Sequence, residues 1–340
     1  MGLFDIFKKK KKQVFEPENE LEQCLMNGRT DINAQKEFYQ KLLWNELFVL
    51  TNAAPTYQEG TNMLEEGSNV QIVAFDGGQI PVFTSTNRIF DKGIIDTAVH
   101  YLCLKGQDLF ELAQGATFVL NPYSEFHKEL VPEEIEDLMN GTIYQKIDDH
   151  AIEQQNYKNF TALFDRANDQ LEGLLLLDGY HPQALTSNEI ARLEAAISDF
   201  EQALELVPNH WQSIFFIGKA YQRLERHDLA LAQMEAAIAI EPNNHFVLME
   251  ASLEAMHTKD LEKALYYSEQ SLLLKPDDVA AMGNHAMNLL IVGKDAAAQT
   301  LIEQALAIHP NDTVNQNVAA IIKSVLAGQR NRPTFEDTLR

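Results

Sequence analysis

A cysteine and a histidine lie three residues apart in one short segment of this chain. A nucleophilic thiol needs a base nearby, and a histidine can serve as that base. A reactive Cys103 would require a base such as His100 and a lowered pKa. The segment alternates like a β-strand, however, and residues three apart in a strand lie on opposite faces. Because Leu102 and Leu104 flank the cysteine, we predict a buried and unreactive thiol.

The other residues suited to catalysis form no recognisable motif. Ser85, Ser124 and His127 are the remaining candidates, and Ser124 stands in a turn-like NPYSEF segment. G-x-S-x-G, a Gly-rich phosphate loop and H-E-x-x-H are all missing from the sequence. An acidic cluster opens a helical segment, where the helix dipole favours it without a metal: Glu133, Glu134, Glu136 and Asp137. We predict no catalysis, no cofactor and no metal site.

The net charge and the cysteine content indicate which partners and which cellular compartment suit this chain. The 27 basic residues face 50 acidic ones, and the net charge of −23 disfavours nucleic acid as a partner. Cys24 and Cys103 are the only cysteines, which fits a reducing cytoplasm. No run of 18 apolar residues and no secretory signal is recognisable, so we expect a cytoplasmic protein.

The strongest pattern in the chain is a period of 34 residues. Prolines recur at this spacing after similar helical phrases: Pro208, Pro242, Pro276 and Pro310. One such unit cannot bury its own apolar face, so about three or more must stack. We predict three helical hairpins over 211–312, a degenerate first unit over about 157–208, and a capping helix over 313–327.

This pattern resembles the tetratricopeptide repeat. The block from Trp211 to Asn244 carries the best match: Ile214, Ile217, Gly218, Tyr221, Ala230, Met234, Ala237 and Pro242. The resemblance implies an all-α solenoid in which the first helix of each unit lines a groove. Its register assigns these residues to the groove: Gln212, Phe215, Lys219, Gln222, Phe246, Met249, Leu253, Met256 and Met287. Three are methionines, which suit an adaptable peptide-binding surface, although core packing explains the same residues equally well.

The first half lacks the 34-residue period and alternates short strands and helices. We predict strands at 47–50, 70–75, 79–85, 98–104 and 117–121, with a turn at Asp76-Gly77-Gly78. Helical spacing over 32–46 and two short helices, GQDLFELAQ and PEEIEDLMNG, complete an α+β domain.

The order of phrases over about 33–141 resembles the amino-terminal domain of the enhanced serine sensitivity (SseB) family. The residues that carry the resemblance are Pro81, Phe83, Thr84, Ser85, Arg88, Asn121, Pro122, Ser124, Lys128, Pro132, Glu134, Ile135 and Gly141. The family name comes from a phenotype and implies no chemistry. The resemblance suggests a bacterial protein.

Two loops of this domain are candidate binding elements because both follow strand ends. They contribute Phe83, Thr84, Ser85 and Arg88 from one loop and Asn121, Ser124 and Lys128 from the other. A purely structural role for the same residues is the competing interpretation.

The predicted organisation has four parts. A basic and apolar start (1–12) precedes the SseB-like domain (13–150), the repeat solenoid (151–328) and a flexible tail (329–340). Lys8–Lys12 could give weak contact with an anionic membrane surface. Phe335 and Leu339 of the tail could instead occupy a groove.

We predict a non-catalytic adaptor or scaffold whose groove binds a protein or peptide. One alternative is a serine-linked metabolic regulator with a small ligand in the first domain. Another is a component or chaperone of a secretion apparatus. The sequence leaves the oligomeric state open.

Overall fold

The computed structural model describes residues 15–52, 71–175 and 183–334. The chain divides into two units between Gln154 and Gln155. The first unit has a mixed sheet with helices and the second is helical, which confirms the predicted fold classes. Two predicted features lie outside the described residues: the basic segment Lys8–Lys12, and Phe335 with Leu339 of the tail.

The described part of the first unit contains the first part of the long helix Ile143–Leu171 and, before it, helices α1 to α4, a 3₁₀ helix and strands β1 to β5. In chain order these are α1 (Glu20–Asn27), α2 (Ile32–Trp44), β1 (Glu46–Thr51), β2 (Ile80–Phe83), the 3₁₀ helix (Asn87–Gly93), β3 (His100–Lys105), α3 (Gly106–Leu112), β4 (Phe118–Leu120), β5 (Lys128–Leu130) and α4 (Pro132–Asn140).

The strands form one sheet in the order β3-β1-β2-β4-β5. All neighbouring strands are antiparallel except β2 and β4, which are parallel. Alternate strand residues point to one face, so Leu47 and Val49 of β1 pack beside Phe118 and Leu120 of β4 in the core. Leu42 brings α2 onto the same cluster.

The first unit differs from the sequence prediction in four elements, one of which is the unpredicted 3₁₀ helix Asn87–Gly93. The predicted strand 70–75 is described from residue 71, and over 71–75 only Ile72 forms a β-bridge, an isolated one with Thr51. The turn that follows is present, and Gly78 takes the positive φ of 83° that glycine tolerates there. Helix α1 and strand β5 were not predicted, because α1 is short and polar and β5 has only three residues.

The prediction of a buried Cys103 is wrong. Among the described residues, strand β3 lies at the edge of the sheet and pairs only with β1, and most of its side chains are exposed. Leu102 and Leu104 are half-buried against the core, whereas Cys103 and His100 are exposed. The part of the thiol that is shielded from water, together with the Glu46 carboxylate, raises the pKa of Cys103 to about 11. The thiol is therefore protonated at neutral pH and is a poor nucleophile.

The second unit is a series of helical hairpins. The helices from residue 143 onward are α5 (Ile143–Leu171), α6 (Ser187–Leu206), α7 (Trp211–Arg223), α8 (His227–Ile240), α9 (His245–His257), α10 (Leu261–Leu274), α11 (Val279–Ile291), α12 (Asp295–Ile308) and α13 (Thr313–Leu326). Pairs α7–α8, α9–α10 and α11–α12 coincide with the three predicted repeats, and α13 with the predicted capping helix.

The 34-residue period recurs in packing and in helix caps. Ala230, Ala264 and Ala298 are each fully buried where the two helices of a hairpin approach. Side chains at the same spacing cap the first helices of successive units by accepting backbone N–H bonds: His210, Asn244, Asp278 and Asp312. Each cap lies two residues after a repeat proline, so the proline and the capping residue together mark where each of these four helices begins.

Two serines of the second repeat, Ser252 and Ser268, belong to a buried polar network. Ser252 Oγ donates to the Ala264 carbonyl at 2.8 Å, and Asn288 Nδ2 donates to Ser252 Oγ at 2.9 Å and Ser268 Oγ at 3.1 Å. Ser268 Oγ also lies 2.7 Å from His285 Nδ1. The network joins α9, α10 and α11, so these polar side chains are satisfied where three helices meet.

We predict that the second unit loses stability as the pH falls from 7 to 5. Burial lowers the pKa of His210, His245 and His285. In the unfolded chain these imidazoles take up protons near pH 6.5, whereas in the folded chain they stay neutral to lower pH. The unfolded state therefore binds more protons over this range. Urea unfolding at pH 7.5, 6.5 and 5.5, followed by far-UV circular dichroism, measures the effect.

The variant His285→Gln should show a smaller loss of stability between pH 7.5 and 5.5 than the natural chain. His309→Gln is the matched control, because His309 is exposed. An identical pH dependence for the natural chain and His285→Gln would contradict the prediction.

The described part of the predicted flexible tail is anchored to the last repeat. Arg332 donates to the Leu290 carbonyl at the end of α11 and pairs with Asp295 at 2.6 Å, and Pro333 is buried.

Among all helices of the described ranges, none combines the length and apolar character that a bilayer span requires.

Candidate functional site

The two candidate loops of the first unit meet because β2 and β4 are parallel neighbours. Phe83 and Thr84 follow β2, and Asn121 follows β4, so the two carboxyl ends lie side by side. Thr84 N donates to Asn121 Oδ1 at 3.0 Å, and Asn121 Nδ2 donates to Thr84 Oγ1 at 2.8 Å. Both side chains are buried and satisfy one another.

A buried ion pair lies under these loops. Arg88 Nε donates to Glu22 Oε1 at 2.9 Å and Arg88 Nη2 donates to Glu22 Oε2 at 2.6 Å. The side chains are 8% and 0% exposed, and Thr84 Oγ1 also donates to Glu22. Burial alone would raise the pKa of Glu22, but the bonds from Arg88, the Glu18 backbone and Thr84 outweigh it and lower the pKa. The carboxylate is therefore ionised and paired.

Glu22 and Glu18 were not among the candidate residues because α1 was not predicted. The sequence signal for the start of α1 was the segment Asn19-Glu-Leu-Glu22, which has the spacing of a helix-capping sequence. Asn19 Oδ1 accepts from Glu22 N at 2.9 Å, and the Glu22 carboxylate accepts from Glu18 N at 2.7 Å.

The structure does not bring all seven candidate residues of this domain to one place. Ser85 is half-exposed, donates to Glu18 Oε2 at 2.5 Å, and lines a cleft of about 530 Å³ beside Trp44. Lys128 instead pairs with Glu134 at 2.8 Å and lines a separate cavity. Phe83 and Ser124 are buried.

The predicted groove residues differ in exposure. Phe246 is 55% exposed, and Gln212, Phe215, Leu253 and Met287 are half-buried. Four are buried: Lys219, Gln222, Met249 and Met256. The five exposed or half-buried side chains are therefore the ones a partner can contact without unfolding the repeats.

Polar contacts between α7 and α9 fix the spacing of two first helices. Lys219 Nζ lies 2.8 Å from Glu250 Oε1, in a pair whose side chains are 7% and 14% exposed. Gln222 Nε2 donates to Glu250 Oε2 at 2.9 Å and to Glu254 Oε1 at 2.8 Å. Two polar residues predicted for the groove thus hold neighbouring repeats together.

Sequence analysis also missed a cluster of two histidines and a carboxylate. His227, Glu254 and His257 come together between α8 and α9. Burial, and to a smaller extent the neighbouring His227, lower the pKa of His257 to about 4, so its imidazole is neutral at pH 7. The only local signal was Glu254-x-x-His257, because His227 belongs to the preceding repeat.

Two protein families match parts of the chain. Residues 21–137 match the family described as SseB protein N-terminal domain. Residues 212–244 match the family described as Tetratricopeptide repeat.

One curated relative is the Anaphase-promoting complex subunit 3 of Schizosaccharomyces pombe (strain 972 / ATCC 24843). It is 25% identical over 228 residues, which cover 67% of this chain and 31% of that protein. This chain therefore matches less than a third of the length of that relative.

Several solved structures are similar to part of the chain. YrrB, described as a TPR protein with an unusual peptide-binding site, is 19% identical with a TM-score of 0.38, over 42% of this chain and 73% of that chain. MamA is 10% identical with a TM-score of 0.42, over 54% and 90%. The first TPR of Spaghetti (RPAP3), bound to the HSP90 peptide SRMEEVD, is 17% identical with a TM-score of 0.33, over 34% and 93%.

Proposed function

We propose that this chain, which joins an SseB amino-terminal domain to tetratricopeptide repeats, is a non-catalytic adaptor whose repeats bind a segment of another protein. The observation that carries the proposal is the exposure of apolar side chains on the first helices of stacked repeats. Phe246 is 55% exposed, and Phe215, Leu253 and Met287 are half-buried on the helices that the repeat register assigns to the groove.

The chemistry of these side chains favours an apolar or amphipathic peptide. Aromatic and methionine side chains supply large contact area and adapt to irregular partners. Lys219 of the predicted groove is already paired with Glu250, so it adds little to recognition. Binding would therefore depend on apolar contacts at the exposed positions.

The first unit offers weaker support for ligand binding or catalysis. Thr84, Arg88 and Asn121 bond to one another or to Glu22, and so they serve packing within the domain. Cys103 has a raised pKa, and we assign no catalytic step to it. Both cysteines are free thiols, which fits our proposal of a cytoplasmic location.

We expect the double variant Phe246→Ala/Met287→Ala to reduce partner binding at least about tenfold, because buried aromatic anchors dominate such interfaces. Met249 and Met256 are left unchanged, since both are buried and their replacement would disturb the fold. Full-length protein is cross-linked in native lysate, the captured proteins are identified by mass spectrometry, and binding to the purified partner is measured by calorimetry.

Tyr266→Ala is the matched control. Tyr266 is 56% exposed and lies on α10, the second helix of the same repeat as Phe246. A partner that binds the natural chain and Tyr266→Ala equally but loses affinity for the double variant supports the proposal. Equal binding to all three proteins, or no reproducible partner, would overturn it.

A further inference from the structure

Three side chains that ligate metals meet at the junction of two repeats. His227 is the first residue of α8, and Glu254 and His257 lie three apart on α9, which places both on one helix face. One donor atom from each residue lies within 4.8 Å of the other two. His227 Nδ1 is 2.9 Å from Glu254 Oε2, and the two imidazole rings stack with centroids 3.8 Å apart.

Repeat packing does not require this cluster. One repeat later, 34 residues on, the equivalent positions carry Leu261, Asn288 and Ile291. One repeat earlier they carry Leu193, Ala220 and Arg223. Neither neighbouring set has a histidine or a carboxylate, so the three ligands belong to this junction alone among the three equivalent ones.

The carboxylate of the cluster is in an environment that calls for positive charge. Glu254 is 0% exposed, and one of its oxygens accepts a hydrogen bond from the neutral amide of Gln222. Its other oxygen lies 2.9 Å from His227 Nδ1, which supplies a positive charge only when the imidazole is protonated. Lys219, the nearby buried cation, pairs with Glu250 instead. A buried carboxylate is costly unless a cation or several hydrogen bonds offset its charge. A bound cation would supply that charge.

Solvent can reach the cluster. His227 has 26% of its side chain exposed, and both histidines line a surface cleft of about 440 Å³. Glu225 and Asp228 line the same cleft beside Arg226 and Lys259, so its charges are mixed. The opening gives an ion an entry path and leaves room for water to complete its coordination.

We propose that His227, Glu254 and His257 bind one divalent transition-metal ion and thereby fasten α8 to α9. Two imidazole nitrogens and one carboxylate favour Zn²⁺ and its neighbours over Mg²⁺ or Ca²⁺, which prefer oxygen ligands. Stacked imidazoles cannot both aim a ring nitrogen at one ion, so binding requires rotation of the half-buried His227 side chain. The bound ion would link two neighbouring repeats, whatever partner the groove binds.

The test uses full-length protein made without a histidine tag and stripped of metal with a chelator. We expect one equivalent of Zn²⁺ to bind in calorimetry, with micromolar or tighter affinity, and to raise the melting temperature. One equivalent of Co²⁺ should give visible absorption bands of a nitrogen- and oxygen-ligated ion. These two probes report ligation directly.

The variant His227→Leu/His257→Ile introduces the residues that occur one repeat later, so it should fold and should bind Zn²⁺ at least about 100-fold more weakly. His309→Leu, at an exposed histidine, should bind like the natural chain. Circular dichroism verifies that each variant is folded. Failure of the natural chain to bind one equivalent, or unchanged affinity in the folded double variant, would overturn the proposal.

Discussion

Replacing Glu22 with glutamine is expected to lower the free energy of unfolding of the first unit by about 3–5 kcal/mol. The substitution keeps the size of the side chain but removes the charge opposite Arg88, whose guanidinium is 8% exposed and makes two hydrogen bonds to the carboxylate. Arg88 would then remain buried with only the longer contact of 3.5 Å to Asp91 to offset its charge. Amide hydrogen exchange of β1 and β3 measures the loss in this unit directly.

Two further variants separate the charge from the packing. Replacing both partners with methionine should recover most of the loss, because a buried ion pair and an apolar pair of similar volume are close in stability. Glu20→Gln should change little, since Glu20 lies on the same helix and pairs with Lys41 at the surface. A Glu22→Gln variant as stable as Glu20→Gln would show that the pair does not support the fold.

Replacing Gly106 with alanine is expected to destabilise the first unit by about 3 kcal/mol or more. A Cβ at this position would lie 1.8 Å from the Leu42 carbonyl oxygen, so α2 and α3 would have to separate. Gly106 N also donates to the Asn45 carbonyl at 3.1 Å, which holds the backbone at this close approach. Urea unfolding followed by circular dichroism, together with hydrogen exchange in α2, gives the size of the loss.

Gly77→Ala is the control for this prediction. Gly77 lies in an exposed turn, and the atom nearest to its added Cβ belongs to the flexible side chain of Gln79. We expect a change within about 0.5 kcal/mol there. Similar losses at both glycines would contradict the steric explanation for Gly106.

The repeats could be predicted from the sequence because their packing is local and periodic. Ala230, Ala264 and Ala298 stand at one spacing and occupy the same buried place in successive hairpins. The same register identified the first helices, including Phe246. It did not identify which of their side chains are exposed, because burial of Met249 depends on how closely neighbouring helices approach.

The first unit could be predicted only in part, because its decisive contacts join distant residues. Thr84, Arg88 and Asn121 were recognised as a group, but their partner Glu22 lies more than 60 residues before Thr84. Without α1 the same residues suggest an open binding loop, whereas with it they form the interior of the domain. His227 and Glu254 were missed for the same reason, since neither repeat alone contains the cluster.

The two units also differ in how far apart along the chain their contacting residues lie, and this difference sets the order of folding. In the sheet, Phe48 pairs with Cys103 and Ile80 pairs with Phe118. Each pair therefore closes a long loop of the chain when it forms. In the repeats, α7 packs on α8 and α9 on α10, across short turns. Short-range contacts close loops at little entropic cost, and chains rich in them fold faster. The repeats should therefore acquire structure first in refolding, although they leave the ribosome after the first unit.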